Sequence, residues 1–234
     1  KYLDENENRK FVYVMTTLLM VLVIVSFAAF LILSVIIIFA RFYKNFFTDE
    51  GYLTFTLPVK KSQLLASKLI SSTTITVLTT LVCILNVFII FLIAEGKDFT
   101  ESLAELFEDM VNTWGIYTLV YALEAIFILI AASVFSLLLM FCCITFGSII
   151  TKKAKVLASI GIYYGVYNIL FVIIEILFLF GIDTIDMWMY DLNAEQSYGV
   201  VALILLVDFL FISLFCSLLY TLQYWMIDRK LNLN

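Results

Sequence analysis

Histidine is absent from the 234-residue chain. With it go Ser-His nucleophile pairs, His-ligated zinc or haem, and imidazole acid–base chemistry. Glycine is scarce, with eight residues, and none of them opens the G-x-x-x-x-G-K-[ST] spacing of a phosphate-cradling loop. The expectation is a non-enzyme with no ATPase motif, metal or cofactor of its own. Four cysteines, Cys83, Cys142, Cys143 and Cys216, lie inside apolar runs. There they read as small buried hydrophobes and not as a disulfide framework or a metal knuckle. Charge is thin as well: 14% of residues, where about 25% is usual in soluble domains. Set against 64% hydrophobic residues, this excludes a disordered chain and leaves too little polar surface to clothe a soluble globule. A net charge of −5 argues against nucleic acid as a partner.

What the chain has in abundance is long apolar runs. Five are long enough to cross a bilayer, which takes about 20 residues each: 11–40, 69–94, 114–150, 156–181 and 200–227. None shows the period-two alternation of a membrane barrel strand, so the expected fold class is an all-α integral membrane protein forming a single transmembrane domain. The third run exceeds one perpendicular crossing. It implies a turn ahead of the membrane or a helix continuing past Gly147.

Charge placement orients the spans. Ten of the fourteen basic residues fall between spans one and two, between spans three and four, or in the tail. Acidic residues crowd the opposite connections. The positive-inside rule then puts the C-terminus in the cytoplasm and the N-terminus of this sequence outside. An outer N-terminus without a signal peptide leads to the expectation of one further span upstream, making six with both ends cytoplasmic.

The connection Arg41–Lys68, RFYKNFFTDEGYLTFTLPVKKSQLLASK, is too aromatic for a solvated linker. Phe42, Phe46 and Phe47 suit a short amphipathic helix on the membrane surface. Gly51 and the lone proline, Pro58, interrupt helix, and Ser62 suits the N-cap of the next span. On pattern alone, an elbow that merely joins two helices explains this segment equally well.

Glu50-Gly51 followed by Leu57-Pro58-Val59-Lys60-Lys61-Ser62-Gln63-Leu64-Leu65 and Lys68 resembles the segment between the second and third spans of ABC-2 type transporter permeases. The residue-level likeness covers about 49–68, and the order of spans resembles spans two to six of that family. Tyr52-Leu53-Thr54-Phe55-Thr56 departs from the more polar run of many members. The resemblance implies a bacterial plasma-membrane permease subunit of an ATP-driven exporter, working by alternating access. It implies a separate cytoplasmic ABC ATPase carrying the ATP and magnesium, and a second permease copy or homologue. It also implies that this connection couples to the ATPase, with Phe46, Phe47, Asp49, Glu50, Gly51, Tyr52, Pro58 and Lys61 as the coupling residues.

Three carboxylates interrupt the apolar runs: Glu124, Glu175 and Asp208. Ionisable groups at such depth mark transport routes or proton relays, or else are hydrogen-bonded packing residues. They support a pathway for cationic or amphipathic groups, or, alternatively, a proton-coupled secondary transporter. A catalytic carboxylate has no nucleophile–base pair to serve. Ser72, Thr76, Thr79, Cys83 and Asn86 share one helical face suited to close packing, and Gly161 with Gly165 forms a G-x-x-x-G contact pair. The stretch 99–111 is expected to be an amphipathic helix outside the membrane. The resemblance adds the expectation of short re-entrant helices within 182–198.

Overall fold

The architecture comes from a computed structural model describing residues 2–48, 51, 56, 58–151, 154–189 and 192–229; side chains within 2–9, at 12, 16, 20, 93–95, 178 and 180, and within 182–189 and 194–195 are outside that description. The chain is an all-α membrane protein, with no strand among the described residues. Among the described residues six helices follow in order: α1 (Tyr2–Phe47), α2 (Lys61–Glu95), α3 (Lys97–Trp114), α4 (Tyr117–Ile150), α5 (Lys155–Met189) and α6 (Ala194–Arg229). All except α3 are long and apolar enough to span a bilayer. Continuous apolar sequence takes this form because a helix satisfies every backbone donor and acceptor within itself.

Two glycines shape the acidic end. Gly96 closes α2 at φ +56 and Gly115 closes α3 at φ +54, a region that disfavours any side chain. Their N–H groups donate to Leu92 O and Val111 O at 3.1 and 2.9 Å. The long third apolar run is therefore broken at Gly115, and its helix also continues past Gly147 to Ile150. The amphipathic α3 folds back between two spans. Phe99 stacks on Phe91 with centroids 5.3 Å apart, and Thr118 Oγ1 donates to Met110 O at 2.9 Å. Leu106, Phe107 and Val111 are left exposed on its apolar face, as suits a helix lying at a membrane surface.

Helix α4 is the hub, packing against all five others. Its most extensive partner is α6, and the two run parallel. Tyr121 OH donates to Tyr198 O, Cys142 Sγ to Leu219 O and Gln223 Nε2 to Thr145 Oγ1 at 2.8, 3.6 and 2.6 Å, with sequence offsets of 77, 77 and 78. Cys216 Sγ to Ala131 O and Phe209 on Phe127 add contacts at offsets of 85 and 82, so the two helices run in one direction with a register that shifts along their length.

Burial is concentrated at the basic end. Ile38, Phe42 and Phe46 of α1 meet Leu64 and Leu65 of α2, Phe141 and Ile144 of α4, and Ile227 of α6 in one core. Further along, α1 stands away from the bundle, with Leu18, Leu22 and Ile24 about 60% exposed. Bilayer hydrocarbon solvates such side chains as well as another helix does, so hydrophobicity alone draws no helix onto this stretch.

Three expectations are corrected, and the residue pair of a fourth makes no contact within this chain. Phe42, Phe46 and Phe47 are not a separate surface helix but the last turns of α1, turned inward. Ser62 is not an N-cap; α2 begins at Lys61 behind an extended Lys60 that makes no side-chain cap. No short re-entrant helices occupy 182–189, where α5 simply continues to Met189. Gly161 and Gly165 are exposed, with nothing within 4 Å of a Cβ built on either. The close α4–α5 approach belongs instead to Gly147, whose Cβ would lie 2.7 Å from Ser159 N and 2.8 Å from Ser159 Cα.

Candidate functional site

Two features carry the residues singled out from sequence: an elbow at the basic end and a groove rising from it. The elbow is where α1 ends and α2 begins. Phe42 lies face to face on Phe141 of α4, centroids 3.9 Å apart at an interplanar angle of 6°. Phe46 stacks under Phe42 at 4.8 Å and is fully buried. Its ring is thus a strut inside the elbow and not an anchor offered to a partner, whereas Phe47 is only half-buried. Gly51 N–H donates to Thr48 O at 2.8 Å. A Cβ there would sit 2.9 Å from the Phe46 carbonyl, so the chain can turn back this tightly only at glycine. Pro58 is exposed at the outside of the bend. Asp49, Glu50 and Tyr52 lie outside the described residues.

The far side of the elbow is tied to α6. Lys61 Nζ pairs with Asp228 Oδ1 at 2.9 Å, and Tyr220 OH donates to Ser62 O at 2.9 Å. The exposed ion pair contributes little, about 0–1 kcal/mol. The tyrosine bond and the buried rings make the stronger connection. Phe141, Tyr220 and Asp228 escape sequence reading because nothing in their local pattern differs from neighbouring apolar or terminal residues. Only a tertiary contact distinguishes them.

Above the elbow, α4, α5 and α6 enclose a wholly apolar groove of about 380 Å³, floored by Leu139 and Cys143 of α4 and flanked by Val166 and Leu170 of α5 and Phe215 and Leu222 of α6. The three intramembrane acids take different positions around it. Asp208 is exposed, and it precedes Phe215 and Leu222 at a seven-residue spacing, on the stripe of α6 that faces the groove. Glu124 is half-buried, and its Oε2 is a buried oxygen with no hydrogen-bond partner among the described residues. It stands on the same stripe of α4 as Phe135 and Cys142, which also line the groove. Glu175 is exposed, and five residues past Leu170 it projects from the opposite side of α5. Glu124 and Asp208 thus stand on stripes of α4 and α6 that continue above the groove without lining it, and Glu175 lies on another side of α5. A carboxylate held at mid-helix depth in a bilayer costs about 2.5–3.5 kcal/mol unless something compensates it.

Polar residues elsewhere serve packing. Ser72, Thr79 and Cys83 are buried, and Thr76 and Thr79 return their hydroxyls to Ser72 O and Ile75 O of their own helix. Asn86, at the end of this stripe, is exposed. Gln223 is fully buried against Thr145. Among the described residues no group of three or more acids or cysteines is placed to hold a metal. No protein family, curated protein or solved structure matches the chain.

Proposed function

We propose that this chain is the membrane subunit of an ATP-driven exporter, taking its motive force from a separate ATPase at the elbow. The observation that carries the reading is the elbow's construction. Its two halves are locked to α4 by stacked rings and to α6 by the Tyr220 and Lys61 contacts. A push on this junction therefore reaches four of the five spans at once. At the other end of the molecule α1 is free of the bundle, so movement imposed below can open or close the helices above. The resemblance of 49–68 to the coupling segment of ABC-2 permeases supports the same assignment, with a bacterial plasma-membrane location and a cytoplasmic C-terminus. A second copy or homologue completes the pathway, and the bilayer is the remaining partner.

Purifying the full-length protein from its native membrane tests this. An ATPase with a phosphate-binding loop should co-purify, and Asp49→Lys combined with Glu50→Lys should reduce its recovery at least tenfold without loss of membrane insertion. Full retention of the ATPase by that variant would remove the elbow from the coupling role.

One observation favours a second reading, a proton-coupled carrier: the buried, unpartnered oxygen of Glu124. Transport that survives ATP depletion and stops when the proton gradient is collapsed would select it.

A further inference from the structure

The groove and the two acids above it form a slot with one apolar and one anionic end. Ser159 Oγ donates to Ile144 O at 3.2 Å and Gln223 Nε2 to Thr145 Oγ1 at 2.6 Å, which sets Ser159, Thr145 and Gln223 at one height on α5, α4 and α6. With a rise of about 1.5 Å per residue, Phe215 lies about 12 Å above that level and Leu170 about 16 Å. Asp208 lies about 22 Å above it, one residue beyond Phe209, whose ring meets Phe127 of α4 at 5.9 Å; Glu124 lies three residues, about 4.5 Å, beyond Phe127. The apolar lining, which reaches up to Leu170, thus ends about one helical turn below Asp208, and Glu124 follows within about one further turn. From Tyr117 to the last turn of α6, the only basic residues are Lys152, Lys153, Lys155 and Arg229. Among the described residues neither acid is held in an ion pair.

We infer that the slot binds a single-tailed cationic amphiphile, its hydrocarbon tail in the groove and its ammonium head at Asp208. The groove's volume falls in the usual range for small-molecule sites, about 300–1,000 Å³. Its lining has no polar surface to accept a headgroup, so the head must lie beyond one end. Asp208 stands on the same stripe as Phe215 and Leu222, at a distance suited to a head just clear of the tail. Glu124 lies further along the same slot, its free oxygen placed as a second acceptor for a cation moving toward the acidic end. An ordinary zwitterionic lipid would bring its phosphate toward Asp208, and like charges repel. Charge complementarity therefore selects a head with no anion.

This inference rests on the exporter reading only in making the amphiphile a cargo; binding itself needs no ATPase. The full chain in nanodiscs of zwitterionic lipid, with empty discs subtracted, is titrated with radiolabelled tetradecyltrimethylammonium and with tetradecylphosphocholine. Saturable binding of the ammonium probe is expected, at least tenfold tighter than the phosphocholine of equal tail length. Asp208→Asn should abolish that preference, and Leu170→Trp should weaken both probes by filling the groove. Equal affinity of the two probes for the native chain, or a preference unchanged in Asp208→Asn, would overturn the inference. Failure of the ATPase to co-purify would overturn the exporter reading alone.

Discussion

At the scale of single residues, the glycines separate cleanly by environment. Gly147 faces the backbone of Ser159, which cannot withdraw because Ser159 is fully buried and its hydroxyl bonds Lys155 O and Ile144 O. Adding one methyl group there forces α4 and α5 apart, an overpacking cost of about 1–3 kcal/mol. Gly147→Ala should accordingly lower the thermal midpoint in detergent. Gly161→Ala and Gly165→Ala, which meet open space, should stay within about 0.5 kcal/mol of the parent. The G-x-x-x-G spacing was legible, yet within this chain the close helix approach belongs to Gly147. A spacing states which residues share a face, and it says nothing about what that face meets.

At the scale of elements, the junction of α1 with α2 is held by rings. Phe42 buries its whole side chain against Phe141, so Phe42→Ala should cost about 3–5 kcal/mol. It should also accelerate protease cleavage between Phe47 and Lys61. Lys61→Met removes an ion pair whose two side chains are 41% and 45% exposed. Screening by water leaves such a pair worth less than about 1 kcal/mol, and protease resistance should be nearly unchanged. If the two variants proved equally labile, the rings would not be what fastens the elbow. The aromatic content of 42–47 was visible in sequence and marked the segment as special. Its inward direction was not, because an amphipathic helix on a membrane and a helix end packed in a core share one pattern. Amphipathic α3 posed no such ambiguity. Its acidic face and its flanking glycines both appear in the local sequence, and the helix spans 97–114 where 99–111 was expected.

At the scale of the whole molecule, five spans and a surface helix place the ends of α1, α4 and α6 beside the starts of α2 and α5. Arg41, Lys44, Lys60, Lys61, Lys68, Lys155 and Arg229 gather there. Cysteine-scanning on a background lacking the four native thiols checks the orientation that the positive-inside rule implies. Glu105→Cys on α3 should react with a membrane-impermeant maleimide in intact cells, and Lys60→Cys only after permeabilisation. The reverse pattern would invert the molecule and remove the elbow from any cytoplasmic ATPase.

Sequence alone settled that this protein is helical and lives in a bilayer, because segment length and hydropathy are local properties and hydrocarbon forbids unpaired backbone. It also named three acids within the apolar spans. Tertiary structure decided which glycine lets two helices touch and that Phe42 and Phe46 turn inward. Those outcomes depend on the relative rotation of helices far apart in the chain. Between apolar faces in lipid no hydrophobic gradient fixes that rotation, so it is set by side-chain shape where the helices meet.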